Sequence, residues 1–206
     1  MNVVVELTNK IQNTLNKLIN KNDLKVETTE LLNELLETLK VTENCKDKKI
    51  DGIDLDKFHK SISEIESRLA WLEKAEEEEK DFIIEQLNEE LFQIDIRLNK
   101  EILCEGCKEK EIEKLTDKCG NEEIARFLYD YKLNANYYYV YIRWIPFDKF
   151  RNVEYLAKGG FGEVHKATWI NGYYVVPKKK YEGQVVLKRI YNSSDDKTED
   201  ILKEVK

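Results

Sequence analysis

The chain has 206 residues, 41% hydrophobic and 36% charged, which is apolar enough to bury a core and charged enough to solvate long helices. Its net charge of −7 argues against a general nucleic-acid binder, which needs a basic surface to neutralise phosphates. No apolar run approaches the roughly 20 residues that span a bilayer, the first residues lack the basic flank of a signal peptide, and Asn2 stands where myristoylation needs glycine; a cytoplasmic protein without a transmembrane segment is expected.

The first 135 residues hold only three glycines and no proline, and so little punctuation over such a length predicts helices. Val4, Leu7, Ile11, Leu15 and Leu18 form one apolar stripe in three- and four-residue steps. Leu31, Leu32, Leu35, Leu36 and Leu39 form a second, and the polar stretch 41–54 reads as a connector. In the third, Leu55, Ile62 and Leu69 are seven apart, as are Phe58, Ile65 and Leu72. The fourth runs through Ile84, Leu87, Leu91, Ile94 and Leu98. Continuous heptads would put glutamates of the run Glu76-Glu77-Glu78-Glu79 at seam positions. A turn there, and an up-and-down bundle, are therefore expected in preference to one long coiled coil.

Residues 103–145 read as a cysteine-containing connector with one short helix over Asn121–Leu133. Cys104-Glu105-Gly106-Cys107 has the spacing of two zinc ligands. A closed structural site needs four, only Cys119 is close in sequence, and His59 and His165 are distant. Ordinary reduced thiols are favoured over a complete zinc site. The aromatic run Tyr137-Tyr138-Tyr139-Val140-Tyr141 lacks the basic surroundings of a base-stacking platform, so it is expected to pack against the next domain.

From Pro146 the periodicity changes. Val153 to Lys158 and Glu163 to Ile170 each alternate like strands, with Gly159, Gly160 and Gly162 at the bend between them. Glycine lets backbone N–H groups come close to phosphate oxygens. A dinucleotide-binding loop would need a helix after the glycines, and a Walker loop would end in Gly-Lys-Ser/Thr; here Glu163 follows and a strand begins. A third strand, Gln184–Ile190, carries Lys188 after a β-branched run, where an unpaired charge is costly. A helix start follows over Thr198–Val205, with Glu204 sixteen residues beyond Lys188.

This order of glycine loop, strand lysine and helix glutamate resembles the N-lobe of a protein kinase, serine/threonine or tyrosine-kinase-like. The stretch from Trp144 to Gly162 is also similar to the expanded kinase-like families of mycorrhizal fungi, with His165 in place of their usual Tyr. The resemblance implies an ATP site, with Mg, made of Leu156, Ala157, Gly159, Gly160, Phe161, Gly162, Val164, Val186, Lys188 and Glu204. Gly159 and Gly162 match the second and third loop glycines and Phe161 the loop tip. Val164 and Val186 match the residues that pack on adenine, Lys188 the phosphate lysine, and Glu204 its ion-pair partner. Ala157 departs from the pattern, standing where the first loop glycine belongs. The four helices placed ahead of this segment resemble the helical domain of mixed-lineage-kinase-like proteins and the bundle that opens the Cbl adaptors, which implies protein contacts.

The expected fold class is therefore α+β: a bundle over 1–102, the connector over 103–145, and an incomplete antiparallel N-lobe sheet over 146–206. The expected function is the nucleotide-binding front of a protein kinase. No His-Arg-Asp, Asp-Phe-Gly or Ala-Pro-Glu motif occurs in these residues, so phosphoryl transfer by this chain alone is not expected. Asp81-Phe82-Ile83 is an echo of the metal-binding motif in a helical stretch. The alternative is a non-catalytic signalling or adaptor protein whose bundle binds partners.

Overall fold

The computed structural model describes residues 3–19, 26–48, 53–138, 142–160, 162–170 and 183–190. The chain divides into two compact units, Met1–Glu111 with Tyr131–Tyr141, and Ile112–Asp130 with Ile142–Lys206.

The first unit is built on four helices, α1 (Val3–Ile19), α2 (Val26–Asn44), α3 (Leu55–Leu72) and α4 (Glu77–Arg97). The four apolar stripes converge on one core: Leu7, Ile11, Leu15 and Leu18 meet Leu32, Leu35 and Leu39, Phe58, Ile62, Ile65 and Leu69, and Leu87, Leu91, Ile94 and Leu98. The main packing partners are α1 with α2 and α3, and α4 with α2 and α3. The order around the bundle is thus α1–α2–α4–α3, and α2 and α3, although consecutive, lie across the diagonal. Arg97 Nη1 donates to the Lys57 carbonyl at 3.1 Å and to Ser61 Oγ at 3.0 Å, tying the end of α4 to the start of α3, so that pair is antiparallel.

The glutamate run does end the heptads. Residues 73–76 form the turn, Glu76 is the N-cap of α4, and Glu77, Glu78 and Glu79 occupy its first turn, where carboxylates complement the helix dipole. Asp81-Phe82-Ile83 lies inside this helix. At the start of α3, Asp54 is the N-cap and accepts from the Lys57 amide at 3.2 Å. A π-helical turn over Leu98–Ile102 closes α4.

The connector is more helical than expected. It holds α5 (Glu105–Cys119) and α6 (Glu122–Asn134). Gly120 ends α5 at φ 75° and its amide donates to the Thr116 carbonyl at 2.7 Å, the left-handed cap that glycine adopts at least cost. Asn121 caps α6 through the Ile124 amide at 2.9 Å. Tyr138 turns back into the first unit, with its ring edge-on to Phe92 at 5.7 Å and its amide donating to Glu89 Oε2 at 2.8 Å. The expectation that this aromatic run packs against the next domain therefore fails at Tyr138; residues 139–141 lie outside the described residues.

In the second unit, a short 3-10 turn over Phe147–Lys149 leads into β1 (Phe150–Gly159), β2 (Gly162–Trp169) and β3 (Gly183–Ile190). They form an antiparallel sheet in the order β1-β2-β3. The β2–β3 connection, with Pro177 and Lys178-Lys179-Lys180, lies outside the described residues. The observed class is α+β.

Candidate functional site

The candidate site lies on the three-stranded sheet. Paired residues in an antiparallel ladder share a face, and here Ala157 pairs with Val164 and Val164 with Lys188. Val186, two residues from Lys188, lies on the same face by alternation. Four of the ten expected site residues, Ala157, Val164, Val186 and Lys188, are thus brought together across three strands. Gly159 pairs with Gly162 at the end of the β1–β2 hairpin, and Gly160 is in the turn. The register shifts between Tyr155 and Ala157, and the bulge residue is Leu156. Phe161 and Glu204 lie outside the described residues.

The face is open. Leu156 is 52% exposed and Val186 67%, and Lys188 is exposed. Among the described residues no carboxylate pairs with Lys188, so its charge is available to an anion. On the opposite face Tyr155 meets His165 edge-on at 5.8 Å, and His165 Nε2 stands 3.7 Å from Glu163 Oε2.

The glycines divide into two kinds. A Cβ on Gly162 would run into the Arg189 carbonyl oxygen and lie 3.1 Å from the Ile190 Cα. Glycine is therefore required at 162 by the close approach of β3, whatever binds the loop. A Cβ on Gly160 would meet nothing within 4 Å, and one on Gly159 only the Gly162 oxygen at 4.0 Å. Space around those two is open for an approaching ligand.

Positive φ in β1 falls on Asn152, at 52°, within an irregularity of the ladder between Arg151 and Glu154. Asn tolerates this left-handed conformation better than most residues.

The cysteines are arranged differently from the sequence expectation. Cys45, at the end of α2, meets Cys104 and Cys107, and the three sulfurs lie within 4.8 Å of one another. The Cys45 thiol donates to Cys104 Sγ at 3.3 Å. Cys119 is not in this group; its thiol donates to the Asn121 carbonyl at 3.1 Å. Hydrogen bonds from the Cys45 thiol and from the Cys107 amide pull the Cys104 thiol below its ordinary pKa. Burial, then the neighbouring thiols Cys45 and Cys104, push Cys107 up to about 12. All four cysteines are free. No sequence signal pointed to Cys45, because 59 residues separate it from Cys104.

No family model, curated protein or solved structure matches the chain.

Proposed function

We propose that the sheet binds a purine nucleoside triphosphate with Mg, as the front edge of a protein kinase N-lobe. The observation that carries this reading is the register Ala157–Val164–Lys188 across β1, β2 and β3. It supports an apolar floor of Val164 and Val186 for a base, with a lysine on the same face for phosphate oxygens. The open space around Gly159 and Gly160 supports a loop that backbone N–H groups can present to phosphates. Glu204 is the residue assigned as the ion-pair partner of Lys188, and the carboxylates that would hold Mg are not assigned to this chain.

The test is a thermal shift of the full chain with Mg-ATP, repeated with Lys188→Ala. A rise in Tm that this substitution removes is the expected result. A rise of equal size in both proteins, or none in the wild type, rejects the proposal.

A second reading is a non-catalytic signalling or adaptor protein that uses the helical bundle. It is favoured by Trp71, 59% exposed near the end of α3, and Phe82, 61% exposed in the first turns of α4. Large apolar side chains left in water at one end of a helical hairpin are contact residues in many protein interfaces. On this reading Mg-ATP leaves Tm unchanged and Trp71→Ala removes partner capture while the fold persists.

A further inference from the structure

Three thiols meet where the end of α2 approaches the start of α5, and the proposed nucleotide site makes no use of them. Cys45 is buried, while Cys104 and Cys107 are half-buried. Cys104 immediately precedes α5, and its carbonyl accepts from the amides of Cys107 at 3.0 Å and Lys108 at 3.1 Å. The first helical turn therefore sets the Cys104–Cys107 spacing. Gly106 is not what allows it, because a Cβ there would meet nothing within 4 Å.

Cys45 completes the group from a different element. Its amide donates to the Thr42 carbonyl at 3.3 Å at the end of α2, which fixes its backbone.

We propose that Cys45, Cys104 and Cys107 bind one zinc ion as three thiolate ligands, with the fourth tetrahedral position open to water or another small ligand. Zinc is the metal this donor set suits: a borderline-soft ion without redox chemistry, bound by sulfur at about 2.3 Å in tetrahedral geometry. That bond length requires sulfurs about 3.8 Å apart. The group, within 4.8 Å, brackets this separation, and the 3.3 Å Cys45–Cys104 contact opens by about half an ångström to admit the ion. Among the described residues, no other His, Cys, Asp or Glu joins the group. Binding exchanges the three thiol protons for the ion, and the protons pass to buffer. The ion would staple α2 to α5 across 59 residues of sequence.

The experiment is a titration of the reduced full chain with Co²⁺, then Zn²⁺. One equivalent of Co²⁺ should give a thiolate-to-metal charge-transfer band that Zn²⁺ abolishes, and Zn²⁺ should raise Tm. Cys45→Ser and Cys107→Ser should each lower Zn²⁺ affinity by more than the roughly 10–100-fold that loss of an outer-shell partner costs. Cys119→Ser should bind as wild type. If Cys45→Ser does not fold, judged by circular dichroism, Cys107→Ser alone must give the loss. The proposal is overturned by absence of the band, by Cys119→Ser losing affinity as Cys107→Ser does, or by undiminished binding in Cys107→Ser.

Discussion

Lys132 on α6 forms an ion pair with the buried Asp95 of α4, Nζ to Oδ2 at 2.8 Å. The other Asp95 oxygen accepts from Thr38 Oγ1 at 2.6 Å, and Lys132 also reaches Glu34 at 3.2 Å. One carboxylate thus joins α2, α4 and the end of α6. A buried charge is tolerable only while such partners are present.

Lys132→Ala should therefore destabilise the first unit by about 1–3 kcal/mol, because it leaves Asp95 buried with one hydrogen bond. Asp95→Asn combined with Lys132→Ala should lose less than the two single changes added together, since the uncompensated charge is gone. Urea denaturation of the four proteins checks this, and strict additivity would contradict it.

Gly162→Ala should disrupt the β2–β3 pairing, since its methyl group collides with the Arg189 carbonyl of the neighbouring strand. Gly160→Ala, with open space around it, should leave the sheet intact. Amide hydrogen exchange at Arg189 and Ile190 distinguishes them: faster in the first variant, unchanged in the second.

Acid should weaken the start of α3. The Lys57 side chain, and then its amide, hold the Asp54 carboxyl below the usual carboxylate range. A carboxylate with a depressed folded pKa stabilises the fold above its unfolded value, near pH 3.9. That contribution is lost as pH falls through the lower folded value. Asp54→Asn keeps a capping oxygen but cannot titrate. Its Tm should fall less steeply than that of wild type in this acid window, and parallel curves would reject the assignment.

Phe58→Ala should cost about 3–5 kcal/mol, because Phe58 is fully buried where α3 faces the bundle core. Trp71→Ala, at an exposed position on the same helix, should stay within about 0.5 kcal/mol of wild type. Chemical denaturation of the two variants measures both effects.

Much of the architecture was legible because it is periodic. The stripes from Leu7 to Leu98 repeat at helical spacing, and burial of an apolar stripe requires only that something apolar face it. The glycine hairpin and the strand carrying Lys188 were legible for a similar local reason, alternation on either side of small residues. Sequence by itself thus determined four helices, a glutamate-rich turn before α4, and an antiparallel sheet with the loop glycines at one end. Which partners meet was decided only by tertiary structure. That α2 lies beside α4 and not α3, that Lys132 finds Asp95, and that Tyr138 folds back onto Phe92 are contacts between elements with no local signature. The Cys104–Cys107 pair was visible as a spacing, yet its third member is Cys45 and not the nearer Cys119. Chain separation says little about distance once helices pack, because a helix of about 20 residues carries its two ends roughly 30 Å apart and delivers each to a different neighbour. Gly162 shows the same division: its presence in the loop was read from sequence, and the strand that forbids a side chain there was not.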